Sequence, residues 1–233
     1  MKRTIPFIFL ALIIAACTTM PPEINDKYLA EKTDTESKNL FAMENKIIEK
    51  NREKQALQKK IDDNAKLPSE TEKELDLLLD ENKILKGQIE IYEKKKDTAN
   101  LEAKQKQLSE NEIQVKEKTA LLQYQQTEND YNEAELNLKN AELAKYIAEL
   151  NLERSKIATV YRDKHKDEEQ EEEEGFFSKK FNKKDPDDKY GYKKYSEYLK
   201  KTEQDKSKAE TKHKEAEKKY LKAKGALDKL KSK

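Results

Sequence analysis

The chain has 233 residues, 42% charged and 34% hydrophobic, with four glycines, five prolines, no tryptophan and a formal net charge of +1. A compact globular domain of this length needs a thicker apolar interior and more turn residues, so an ordinary globular fold is excluded and long helices are expected. Low hydrophobicity also favours an unfolded chain, and only sustained periodicity separates that outcome from helices.

Lys2 and Arg3 open the chain with positive charge, residues 5–16 are an apolar run, and Ala15 and Ala16 end it with small side chains. This is the layout of a signal peptide over residues 1–16. A spanning helix needs roughly 20 apolar residues to cross about 30 Å of hydrocarbon, and this run supplies only about 18 Å of helix. The run is therefore read as an export signal.

Ile14-Ala15-Ala16-Cys17 resembles the lipobox of bacterial lipoproteins, an aliphatic residue and two small ones before a cysteine. The resemblance implies that the Cys17 thiol receives a diacylglycerol, that cleavage precedes Cys17, and that the new amino terminus is acylated, palmitate being such an acyl group. Each buried CH₂ contributes about 0.8 kcal/mol, so one chain holds marginally and two or three hold firmly. The competing reading is a secreted chain whose sole cysteine is free or paired between molecules. Thr18 and Thr19 stand where aspartate retains lipoproteins in the inner membrane of many diderm bacteria. The resemblance thus favours the outer membrane, with periplasmic face and cell surface both open.

Loss of residues 1–16 removes Lys2 and Arg3, leaving 47 basic and 48 acidic groups and a net charge of −1. The distribution is uneven: residues 67–162 carry 15 basic and 20 acidic groups, whereas residues 189–233 carry 16 and 7. Residues 17–38, with Pro21 and Pro22, are expected to be the lipidated start and a flexible tether. A first helix over 39–66 follows from the spacing of Leu40, Met43, Ile47, Leu57 and Ile61, interrupted by Lys50 and Lys54. At Pro68 the series stops, and Ser69 with Glu72 has the spacing of a capping box.

From there the spacing predicts one long second helix over 69–165, about 145 Å if straight. Leu75, Leu78, Asn82, Leu85, Ile89, Tyr92 and Ala99 follow in steps of three and four, as a coiled-coil seam with a polar register residue requires. Leu101, Leu108, Val115, Leu122, Asn129, Leu136, Leu143, Leu150 and Ile157 then repeat at strict sevens. A second row (Ile113, Ala120, Tyr124, Tyr131, Ala134, Leu138, Ala141, Ala148 and Leu152) lies on roughly the opposite side. Two apolar faces need two sets of neighbours, from this chain or from copies of it.

A third, basic helix over 190–231 carries a thin seam of Tyr195, Leu199, Thr202, Lys206, Ala209, His213, Ala216, Tyr220, Ala223, Leu227 and Leu230. Folding back along the distal half of the second helix is geometrically easy for a segment of about 63 Å. The expected fold class is all-α: long coiled-coil helices in an elongated hairpin or three-helix bundle, with a charged connection.

That connection, residues 166–189, runs from an acidic block into Phe176, Phe177 and Phe181 interleaved with Lys179, Lys180, Lys183 and Lys184. Blocks of like charge are usually solvated. Phe176, Phe177, Phe181, Lys179 and Lys180 are the candidate partner contacts, with capping of the bundle end and membrane contact as the other readings. Asp185, Asp187 and Asp188 evoke a calcium loop, but Tyr190 occupies the position that an EF-hand gives to glycine. His165 and His213 lack metal-ligand spacing. The chain has no phosphate-binding loop, dinucleotide fingerprint or nucleophile elbow, so no catalytic residue, cofactor or metal is assigned and an enzyme is not expected.

The function expected from these readings is a structural or scaffolding coiled-coil lipoprotein of the cell envelope. The first alternative is a surface-exposed adhesin or ligand-binding lipoprotein, using the connection, the tyrosines at 190, 192, 195 and 198, or the basic helix. The composition resembles in style the surface lipoproteins of spirochaetes. A further alternative is an accessory subunit of an envelope transport assembly, docking through the two-faced stretch from Leu101 to Ile157. Expected partners are the membrane, through lipid, and a protein or a second copy of the chain. The basic helix suits an anionic envelope polymer better than nucleic acid, which an exported protein seldom meets. Lys233 resembles the terminal lysine by which murein lipoproteins are joined to peptidoglycan.

Overall fold

The structure is a computed structural model that describes residues 21, 24, 26–165 and 192–232. It is all-α, with a 3₁₀ turn at Asp26–Leu29 and helices α1 (Asp34–Asn64), α2 (Leu67–Lys95), α3 (Thr98–Lys164) and α4 (Tyr192–Lys231), and no strand among the described residues. They fall into two compact units, those of Met1–Ile48 with Leu143–Gln204 and those of Glu49–Glu142 with Asp205–Lys233.

Local chemistry sets each helix end. Thr33 and Glu36 form a reciprocal capping box: Thr33 Oγ1 accepts from the Glu36 amide at 3.2 Å, and Glu36 Oε2 accepts from the Thr33 amide at 2.7 Å. The Thr33 amide, and then its hydroxyl, hold the Glu36 carboxyl below the usual glutamate value. This box starts α1 five residues earlier than the apolar spacing predicts. Two turn residues, Ala65 and Lys66, separate α1 from α2. Pro68 lies in the first turn of α2, where its missing N–H costs no hydrogen bond. Leu67 is thus the first residue of α2, Ser69 lies inside the helix, and the expected Ser69–Glu72 capping box is replaced by a proline start with no side-chain cap.

The single helix expected over 69–165 is two helices. Lys96 takes a left-handed conformation with φ 56°. Its amide donates to Glu93 O at 3.1 Å and the Asp97 amide to Tyr92 O at 3.1 Å, the two bonds of a Schellman motif. Asp97 then caps α3, accepting from the Asn100 amide at 3.3 Å and from Asn100 Nδ2 at 2.7 Å. Those bonds, the side-chain one foremost, depress the Asp97 carboxyl pKa.

In the first unit the core holds Ile24, Leu29, Leu40, Leu150, Ile157, Ala158 and Tyr195, with Tyr28, Met43, Ile47 and Leu152 packed against it. Ile24 and Leu29 correct the expected tether over 17–38: the 3₁₀ turn and the capping box tie part of it into the core. Arg154 reaches Glu44 at 2.8 Å, and Lys145 lies between Glu149 at 3.4 Å and Glu203 at 3.5 Å. Burial works against the Lys145 charge, but the two glutamates outweigh it and raise the pKa.

In the second unit α1 and α2 both run antiparallel to α3. Glu53 with Lys139, Lys60 with Asn132, and Glu74 with Lys118 are pairs whose residue numbers add to one total, the mark of a single antiparallel register. The inward positions keep that register through the turn: Lys50, Lys54, Leu57, Ile61, Asn64, Pro68, Thr71, Leu75, Leu78, Asn82, Leu85, Ile89 and Tyr92 are all buried or half-buried. The stripe that was expected to stop at Pro68 therefore continues in phase, because proline and two turn residues advance the chain without rotating its apolar face.

Candidate functional site

All eleven seam positions expected for the third helix are buried or half-buried in α4. In the second unit α4 runs antiparallel to α3 and meets it through rings. Tyr131 stacks on Tyr220 at 5.3 Å between centroids and packs on His213 at 5.0 Å, while Tyr124 lies 5.6 Å from Tyr220. The Tyr124 and Tyr220 hydroxyls are 3.5 Å apart, and this bond, followed by burial, raises the Tyr124 pKa well above the ordinary tyrosine value. Burial, with Glu135 and Glu217 nearby, raises that of Tyr131. These tyrosines thus join helices rather than face a ligand, and Tyr195 is 1% exposed in the first unit's core, which removes it from the tyrosines expected to engage a ligand.

The other expected site residues distribute plainly. Cys17, Phe176, Phe177, Phe181, Lys179, Lys180, Asp185, Asp187, Asp188, Tyr190 and Lys233 lie outside the described residues. His165 Nε2 is 2.7 Å from Glu31 Oε1, and its ring stacks on Tyr161. Among the described residues no group of three or more His, Cys, Asp or Glu is arranged to hold a metal ion, and no helix is long and apolar enough to cross a membrane.

Two outward surfaces remain. Along α4, Lys212, Lys214, Lys218, Lys219, Lys222, Lys224, Lys229 and Lys231 are exposed, with Glu215, Glu217 and Asp228 the exposed acids of the same stretch. Lysines thus outnumber acids on the outward side of this stretch. Along α2, Leu77, Ile84 and Ile91 stand at spacings of seven on the side turned away from the α3 seam, 71%, 61% and 50% exposed. An open groove of about 320 Å³ beside this row is lined by Glu74, Leu77, Leu78, Glu81, Gln114 and Lys118.

The second apolar row of α3 is half-buried from Ala120 through Ala141, but Ile113 is 53% exposed. The α2 row was not read from the sequence, because Leu77, Leu78 and Leu79 form one run in which the seam residue conceals its outward neighbour. Its signal was the repeat of seven through Leu77, Ile84 and Ile91. No protein-family model, curated protein or solved structure matches this chain.

Proposed function

We propose that the protein is a bacterial lipoprotein, held to a membrane by acyl chains on Cys17, whose helices serve as a structural or scaffolding element of the cell envelope. The sequence Ile14-Ala15-Ala16-Cys17 behind a short apolar run carries the membrane half of this reading. The scaffolding half is supported by the antiparallel seam in which Glu53, Lys60 and Glu74 share one register on α3. A seam of this kind sets reach and direction without enclosing a substrate.

The outward lysines of α4 suit an anionic polymer of the envelope as the partner being held. Two arms test the reading. The Cys17→Ala chain moves from the membrane pellet to the soluble fraction; retention in the pellet would overturn the anchor. Protease added to intact cells leaves the wild-type chain whole until the envelope is breached. Digestion of the chain on intact cells would overturn the scaffold in favour of a surface adhesin.

A further inference from the structure

We propose that α2 pairs with α2 of a second copy of this chain, antiparallel and centred on Ile84. Leu77, Ile84 and Ile91 are the reason that something covers this face. Over fourteen residues they form a row of about 21 Å, and a repeat of seven drifts only about 20° per heptad, so all three stay on one side of the helix. Thr71, Leu75, Leu78, Asn82, Leu85, Ile89 and Tyr92 make the inward seam, which leaves the row free for another neighbour. Gly87, between Ile84 and Ile91, has nothing within 4 Å of where a Cβ would stand, and so leaves a shallow notch in the outer face.

Charge identifies the occupant as a second copy. The half of α2 from Leu67 to Glu81 carries six acidic groups and one lysine, whereas the half from Asn82 to Lys95 carries four lysines and two glutamates. Every one of these charged side chains is exposed. Two copies laid antiparallel about Ile84 place the acidic half of each against the basic half of the other. Leu77 of one then meets Ile91 of the other, and Ile84 meets its own counterpart. Parallel pairing sets acid against acid over the first half, and like charges so placed oppose association. The polarity that stabilises the antiparallel pair therefore also selects it.

The test uses the chain with Cys17→Ser, so that lipid does not drive assembly. Sedimentation is expected to show a reversible dimer whose dissociation constant rises at least ten-fold with Ile84→Lys, which sets two lysines face to face. Helix content by circular dichroism stays unchanged, since Ile84 is exposed. Phe41→Lys, on exposed Phe41 of α1, leaves the dimer intact. For orientation, Ile84→Cys forms an intermolecular disulfide in this background, Leu77→Cys does not, and a mixture of Leu77→Cys and Ile91→Cys chains does. A monomer at all concentrations up to about 200 μM, a dimer indifferent to Ile84→Lys, or a disulfide from Leu77→Cys alone would each overturn the proposal; the first value lies well above dissociation constants typical of specific association.

Discussion

Tyr131 of α3 stacks on Tyr220 of α4 with ring centroids 5.3 Å apart and planes 16° from parallel. Among the described residues it is closer to parallel than the Tyr124–Tyr220 and Tyr131–His213 pairs between the same helices. The segment 189–233 is strongly basic and residues 67–162 are acidic. Yet the ion pair of Lys206 with Glu142, seven residues along α4 from His213, is long at 3.9 Å. Tyr220→Ala is accordingly expected to cost roughly 2–3 kcal/mol, from lost apolar burial and ring packing, measured by urea denaturation. Lys206→Ala should cost under about 1 kcal/mol.

The same cluster responds to alkali. Because the folded state raises the Tyr124 and Tyr131 pKa values, it favours neutral phenols over phenolates. That contribution is complete below the ordinary tyrosine value, about 10, and is lost as pH rises through the folded values. Phenolate absorbance followed with helix content should show two tyrosines ionising late, together with unfolding. Tyr220→Phe removes the hydroxyl partner and should let Tyr124 ionise earlier.

At the acid end Glu53 plays the opposite part. Lys50 at 2.8 Å and Lys139 at 2.9 Å hold its carboxyl below the usual glutamate value. The resulting stabilisation is present above that usual value and is lost as pH falls through the folded one. Urea midpoints measured across the acid range should fall less steeply for Glu53→Gln than for the wild-type chain.

Lys96 occupies a left-handed position that glycine fills without a Cβ penalty. The penalty for an L-residue there is about 1–2 kcal/mol, offset in part by the greater unfolded-state freedom of glycine. Lys96→Gly should therefore stabilise the chain by about 0.5–1 kcal/mol in urea denaturation, and Lys96→Val should destabilise it.

Asn82 on α2 and Asn111 on α3 are buried in the seam, and Asn82 Oδ1 and both Asn111 amide atoms have no hydrogen-bond partner among the described residues. Replacing both with leucine should stabilise the hairpin by roughly 1–3 kcal/mol, the desolvation penalty of such groups. The same change removes a register device. Spin-label distances between α2 and α3 should broaden in the double variant.

The α4 stripe was legible at all eleven positions because one register of threes and fours runs unbroken from Tyr195 to Leu230. The break at Lys96 was not, because a left-handed residue is usually announced by glycine or asparagine, and here it falls within three successive lysines. Thr33 and Glu36 have the spacing of a capping box, but the apolar stripe that marks the helix begins only at Leu40. Lys50 and Lys54 read as interruptions because of their charge, yet both are half-buried in the seam, as a lysine with an apolar stem can be. Leu77 was hidden by its neighbour Leu78: the steps of three and four place Leu78 in the seam, and only the repeat of seven with Ile84 and Ile91 marks Leu77 as part of a second row.

The most direct measurement of the central claim is the intact mass of the protein extracted from native membranes. A chain beginning at Cys17 and carrying the mass of a diacylglycerol plus an amide-linked acyl group is the predicted result. A chain that keeps residues 1–16, or one with an unmodified Cys17, would contradict the account.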